Sequence, residues 1–443
     1  MNWGFNLLLM FGAMQWVSFG RVFLAGVMGE WVNDVAGYLN AGSVLVVALA
    51  AAWYAWRHGN PLIVAARIWF LAVLTLVLAL AARGLWQGVI PRFVIYDTIA
   101  YGLILSFVII GAIPQAFEDM RRVWVYVIAA SIPLNLAALT DLTALLGELQ
   151  TGERIARDTM SYRTQNALDV VVLMVPFAFA LSGWRWLVVV TGFGLVLAQQ
   201  VLYQKRLDAV YFLLVLAATA WCWSRGPRVW RAELRAKFLR MVGLLAAGAA
   251  VLLVVGGNYV IPQFASLMDR LSGQSADIHY SSGFLRYLAL ENERFEIVAD
   301  CFRHFTPIEW IFGRGMGSGV EWIGFNPAAL QGAEMEQIWA AYYLPDYGFF
   351  GRRVFEVGVM TLVLKGGALL FAVYYSAFAL LGARRRWLRQ SLTGRLCLWV
   401  VALQLLYSIV GGDFMMSAAF QMATTAACLG VGLSRFASVE ARP

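Results

Sequence analysis

Apolar residues gather along this chain into blocks that charged residues separate, near 5–28, 38–56, 62–82, 94–114, 123–146, 167–183, 185–203, 207–224, 239–260, 354–382, 396–412 and 414–434. A bilayer core about 30 Å thick takes a helix of roughly 20 apolar residues, and each block is of that order. Only helices and closed barrels satisfy all their backbone polar groups inside lipid, and continuous blocks, unlike strictly alternating ones, select helices. The pattern therefore predicts an all-α polytopic membrane protein with about twelve transmembrane helices. No repeat with a period of 20 to 50 residues interrupts it.

Composition agrees: 61% of the 443 residues are apolar or aromatic and 14% are charged, where soluble domains run at roughly 45–50% and 25%. A water-soluble globule is excluded. No Lys or Arg precedes Arg21, and no small-residue cleavage site follows the first apolar block, so that block is read as a retained span. The four cysteines (Cys222, Cys301, Cys397 and Cys428) are widely spaced and offer neither a disulfide framework nor a CxxC pair.

The net charge of +8 is explained by topology. With a cytoplasmic N-terminus, the inner loops hold Arg57, Arg67, Arg121, Arg122, Arg185, six basic residues over 225–240, five over 384–395, Arg435 and Arg442. The short outer loops hold Arg83, Arg92, Arg154, Arg157, Arg163, Lys205 and Arg206. Eighteen against seven places both termini in the cytoplasm by the positive-inside rule. Of the 26 acidic residues, only Glu118, Asp119, Glu233 and Glu440 fall inside. No basic stripe with interleaved aromatics lies on a soluble surface, so nucleic acid is not an expected partner.

One connection is unlike the rest. Residues 261–353 form a long outer loop between transmembrane helices 1–9, over 1–260, and helices 10–12 with a cytoplasmic tail, over 354–443. A connection that long usually has a function. Within it, 289–305 puts Phe295, Val298, Phe302 and Phe305 on one helical face, with Glu293, Glu296, Asp300 and Arg303 elsewhere. This predicts an amphipathic helix that lies on the bilayer or roofs a cavity.

No HExxH, P-loop, GxSxG or kinase motif is present, and the three histidines (His58, His279 and His304) are far apart in sequence. Arginines stand out instead. Arg163, Arg206, Arg294 and the pair Arg352-Arg353 lie beside the outer ends of spans, against the topology rule. A guanidinium keeps its charge and holds diphosphate oxygens bidentately. Snorkelling, or pairing with Asp169, Asp208 or Glu356, is the other reading of each. Gly313-Arg314-Gly315-Met316-Gly317-Ser318-Gly319 is read as a turn, with a backbone anion nest as the alternative. Glu30 and Asp34 lie four apart without a second acidic cluster, so no metal is assigned. Lys365 falls inside the tenth span, where an ionisable group is functional or paired, Glu356 being one candidate partner.

The order of these features resembles the O-antigen polymerase and O-antigen ligase superfamily, membrane glycosyltransferases of the GT-C type, over roughly residues 160–380. Arg163-Thr164-Gln165-Asn166-Ala167, followed by a span with Pro176, is similar to that family's Arg-to-Asn-Ala opening of a span. Tyr203-Gln204-Lys205-Arg206 stands where the family has Ser-Arg-Gly, and only the Arg matches. Glu293-Arg294-Phe295-Glu296 through Gly313-Arg314-Gly315-Met316-Gly317 is similar to its outer helix and Gly-x-Gly turn. Asp346-Tyr347-Gly348-Phe349 with Gly358 looks like the Asp-Asn-x-Tyr…Gly motif of many polymerases. The ligase branch carries a His-Asn pair at the mouth of that span; here no His follows His304.

The resemblance implies a GT-C-like fold in a bacterial inner membrane and polymerisation of undecaprenyl-diphosphate-linked oligosaccharides at the periplasmic face, as O-antigen or a related surface polysaccharide. It implies no cofactor, and a chain-length regulator protein as a further partner. Arg163, Arg206, Arg294 and Arg353 would bind the diphosphate; Asp346, Glu296 and Glu293 are the candidate general bases, with His279 and His304 weaker ones. Ligation of glycan to lipid A-core is the alternative within the family. From another class, the alternative is a transporter or flippase of lipid-linked glycan.

Overall fold

A computed structural model describes residues 2–29, 31–139, 174–178, 181–202, 206–224, 232, 235–247, 298–299, 301–321, 343–344, 347–353, 358–389, 391–410 and 419–435. These residues are mostly helical. Five long helices come first: α1 (Trp3–Met28), α2 (Trp31–His58), α3 (Val64–Trp86), α4 (Pro91–Ala112) and α5 (Pro114–Leu139). Then follow α6 (Trp184–Leu202), α7 (Arg206–Ser224) and the short α8 (Pro307–Phe312). After β1 (Val320–Glu321), β2 (Tyr343–Leu344) and β3 (Phe349–Arg352) come α9 (Gly358–Ala383), α10 (Arg385–Leu388), α11 (Leu392–Val410) and α12 (Ala419–Leu433).

Each apolar block of the sequence overlaps described helix, several of them over only part of their length, 174–178 of 167–183 among them, and the ends move. Helix α2 begins at Trp31 and α5 at Pro114, because their first turns carry polar residues that hydropathy alone assigns to loops. Among the described residues, four helices are long and apolar enough to cross a bilayer: Tyr38–His58 of α2, and α3, α4 and α9. Four shorter apolar helices lie within α6, α7, α11 and α12. The protein is thus a helical membrane protein by its spans.

Helix α3 shows how sequence becomes position. Ala66, Trp69, Val73, Val77, Leu80 and Gly84 recur at three- and four-residue steps and are buried. Val64, Ile68, Leu71, Leu78 and Leu85 form the opposite stripe and are more than half or half exposed, as side chains facing lipid would be. In a bundle of this kind both faces are apolar, so packing detail and small residues decide which face meets protein.

A close helix contact joins α4 to α12. Gly111 lies against the Ala427 backbone and Gly430 against the Val108 carbonyl, so the two backbones approach with no room for a side chain. Above this contact Phe11, Phe107, Trp124 and Phe420 form an aromatic cluster, and Trp124 Nε1 donates to Thr424 Oγ1 at 2.9 Å. At the α2–α3 end, the turn is stitched to the end of α12: Ile63 N–H donates to Leu433 O, and Arg435 N–H to Pro61 O. Arg384 adds two bonds from Nη1, to the carbonyls of Gly432 and Ser434. Buried Asp119 at this same end accepts from Tyr54 Oη at 2.7 Å and Asn2 Nδ2 at 3.0 Å.

Two features depart from the sequence reading. The strands form a small antiparallel sheet in the order β1-β3-β2, with Val320 opposite Arg352 and Tyr343 opposite Phe350. Strands of two to four residues are too short for alternation to reveal. Helix α9 is broken at Gly367, whose φ of 62° and ψ of −164° are open only to glycine. The segment Ala368–Ala383 beyond the break is about 24 Å long.

Candidate functional site

The α9 break exists because another piece of chain fills it. Residues 313–319 dip into the α3–α4 end of the bundle, and Gly313 lies against Gly366 and Gly367 with a φ of 64°. The carbonyls freed by the break accept from this turn: Arg314 N–H donates to Leu364 O at 2.8 Å and Gly315 N–H to Lys365 O at 2.9 Å. Met316 is fully buried, and its N–H donates to Leu80 O at 3.1 Å. The turn meets the bundle six residues below the end of α3, a depth of about 9 Å.

The last donor of the series identifies the site. Gly317 N–H donates to Asp97 Oδ2 at 2.6 Å. Asp97 stands six residues into α4, about 9 Å from its end, and its side chain is 10% exposed. Lys365 Nζ reaches the same carboxylate oxygen at 2.8 Å and also donates to Ser318 O at 2.7 Å. Arg353 Nη2 faces Asp97 Oδ1 at 3.5 Å. One carboxylate therefore lies between two cations, Lys365 and Arg353, where charge is costly.

Aromatic residues hold the second cation. The Arg353 guanidinium lies 3.7 Å from the Phe93 ring centroid, and Tyr347 stacks on Phe93 at 5.6 Å with 13° between the planes. Tyr347 Oη donates to the Gly317 carbonyl. Among the described residues, Arg353 Nε is buried without a hydrogen-bond partner. Arg353 thus has a fixed plane, one distant carboxylate and donor capacity left over, as suits an anion-binding side chain. Asp97 has both oxygens committed to cations and an amide, which suits it to positioning.

Arg314 is differently placed. It pairs with Glu309 at 2.9 Å and lies 4.8 Å from the centroid of Phe305. Thr306 and Glu309 form a reciprocal capping box at the start of α8. Burial pushes the Glu309 carboxyl up, but hydrogen bonds from Thr306 and the charge and hydrogen bond of Arg314 outweigh it and hold the group below its ordinary range. The Arg314–Glu309 pair ties α8 to the turn.

Of the residues assigned from sequence, Arg353 belongs to this cluster. Arg163, Arg294, Glu293, Glu296 and Asp346 lie outside the described residues, as does His279; Arg206 opens α7, but its side chain also lies outside them. Glu30 and the Asp34 side chain are likewise outside. Tyr347 and Gly348, which follow Asp346 in the sequence motif, both donate their N–H to Leu344 O at the end of β2. Lys365 pairs with Asp97, a partner not named in the sequence reading. The anion-nest alternative for 313–319 is corrected, since the N–H groups of Arg314, Gly315, Met316 and Gly317 already serve protein acceptors.

Part of the apolar face of the expected amphipathic helix lies among the described residues, and Phe295 lies outside them. Val298, Phe302 and Phe305 are buried with Val320 and Leu364. Among the described residues, no three His, Cys, Asp or Glu side chains come together as metal ligands would.

Asp97 was within reach of sequence reasoning: an acidic residue a few positions into an apolar block meets the same criterion that singles out Lys365. Fold and site together define a helical membrane protein with an Asp97–Lys365–Arg353 cluster at one end. No protein family, no curated protein and no solved structure matches the chain.

Proposed function

We propose that this protein is a membrane glycosyltransferase that polymerises lipid-diphosphate-linked oligosaccharides, undecaprenyl diphosphate being the carrier the sequence resemblance implies. The reaction takes place at the periplasmic face of a bacterial inner membrane, with both termini in the cytoplasm. Arg353 carries the reading: a rigid guanidinium with spare donors, stacked on Phe93 and facing Asp97 at 3.5 Å. The depth of the cluster favours this reading over a flippase. Transporter sites lie near the bilayer midplane, whereas Asp97 stands about 9 Å from the end of its helix.

In the reaction, an acceptor hydroxyl oxygen attacks the donor's anomeric carbon as the bond to the diphosphate oxygen breaks. The hydroxyl proton passes to a general base, for which Asp346, Glu296 and Glu293 are the candidates. The lipid diphosphate departs with the bonding electrons. Negative charge grows on its oxygens, and a preorganised cation in a site sheltered from water stabilises it more than water does. Arg353 supplies that cation, with Arg163, Arg206 and Arg294 as further candidates.

The test is reconstitution of the full chain in liposomes with a lipid-diphosphate oligosaccharide, followed by gel analysis of glycan length. A ladder that Arg353→Ala abolishes supports the proposal. Substrate that stays monomeric but crosses the bilayer would make the protein a flippase.

A further inference from the structure

We infer that the apolar face of α8 is seated in the bilayer, so that residues 307–312 form a short membrane-inserted helix whose partner is the lipid of the leaflet at the α3–α4 end. The sequence Pro307-Ile308-Glu309-Trp310-Ile311-Phe312 holds one charged side chain. That side chain, Glu309, turns away onto Arg314 and the Thr306 cap. What remains outward is apolar: Ile308 is 65% exposed, Ile311 51% and Phe312 44%.

Continuity identifies what covers this face. Arg83 Nη1 donates to the Phe312 carbonyl at 3.2 Å, which fixes the end of α8 at the level of Arg83 on α3. Arg83 is three residues, or about 4.5 Å, below the end of that helix. Beside it, Leu85 and Trp86 are 50% and 92% exposed and extend the stripe of Ile68, Leu71 and Leu78. The exposed side of α8 is thus level with the end of a bilayer-spanning face, where exposed Trp marks the lipid–water boundary.

The backbone supports the same depth. The chain beyond Phe312 descends further, to Leu80, and each turn N–H from Arg314 to Gly317 has a protein acceptor. Irregular chain at membrane depth is stable only when satisfied by protein in this way. The apolar face upstream behaves in the opposite manner, since Val298, Phe302 and Phe305 are packed on protein. Residues 298–320 therefore combine an inward apolar face with an outward one, and only the outward one needs lipid.

The experiment uses full-length protein in phosphatidylcholine–phosphatidylglycerol vesicles, with Ile311→Cys, Ile308→Cys or Leu78→Cys carrying a small environment-sensitive dye. Wild-type protein sets the background, because its four cysteines are buried. Nitroxide lipids labelled near the headgroup are expected to quench the dyes at 308 and 311 more than lipids labelled near the chain end. Leu78 should show the reverse order, and aqueous iodide should leave all three bright. Iodide quenching at 308 and 311 without nitroxide quenching would overturn the inference, because the face would then be in water. Protection from both quenchers would also overturn it, showing that protein covers the face.

Discussion

The Lys365–Asp97 pair should behave as a buried unit whose halves are harmful alone. At 2.8 Å, and with an effective dielectric of about 20, the gross attraction is about 6 kcal/mol. Desolvation offsets most of this in the intact pair, so its net value is small. Removing one partner is different, because the other charge stays buried. Lys365 is 2% exposed, and breaking such pairs costs roughly 3–5 kcal/mol. Asp97→Asn also leaves two cations, Lys365 and Arg353, facing one another's field. Lys365→Met leaves Asp97 with Arg353 at 3.5 Å and the Gly317 amide, so it should be the milder of the two. The double variant Asp97→Asn/Lys365→Met should cost much less than the sum, with a coupling of about 2 kcal/mol or more. A double-mutant cycle measured by reversible unfolding in mixed micelles checks this. Additive costs, or single variants within about 0.5 kcal/mol of wild type, would refute the assignment of a buried pair.

Three more outcomes follow from the same geometry. Arg353→Lys keeps the charge but loses the planar fork, and should lower the rate of polymer growth by about tenfold or more, equivalent to ~1.4 kcal/mol of transition-state stabilisation; single-turnover measurement at matched protein levels reads it. Gly367→Ala forces a Cβ into a glycine-only conformation, against the Ile311 carbonyl; the backbone strain alone costs roughly 1–3 kcal/mol, visible as a lower unfolding midpoint. Glu309 has its folded-state carboxyl pKa lowered, so its contribution is complete above the unfolded value of about 4.3 and disappears as pH falls through the folded one. Protease protection of α8 should therefore favour wild type over Glu309→Gln at neutral pH, and the two should converge in acid.

How much of this was legible in the sequence depends on the range of the interaction responsible. Helical segments follow from local apolarity, and four of the expected spans meet helices long and apolar enough to cross a bilayer. Arg353 was legible because a basic residue on the expected outer side contradicts a simple rule. The α9 break was not legible, because 354–382 reads as one apolar run and the break is set by Gly313 from a distant loop. Lys365 was recognised as needing a partner, but proximity in sequence suggested Glu356 where the fold supplies Asp97. The glycine-rich turn offers a run of N–H donors in sequence, but the acceptors that occupy them, on α9, α3 and α4, come from distant parts of the chain. The small sheet left no periodic trace at all.

The α4–α12 contact has a consequence for how the chain is put together. Helix α12 emerges after every other described helix, yet it supplies the backbone against which Gly111 of α4 rests. The turn between α2 and α3 likewise waits for Leu433 and Arg435 to satisfy its Ile63 amide and Pro61 carbonyl. If the helices enter the membrane in chain order, the earlier ones present this surface to lipid tails, which cover it at little cost, being as apolar as the side chains they touch. Insertion of α12 would displace that lipid and make both contacts together, because the C-terminal end of α4 and the α2–α3 turn lie at the same end of the bundle. In that order the spans come first, and the helix that ties α4 to the α2–α3 turn comes last, as the keystone of an arch does.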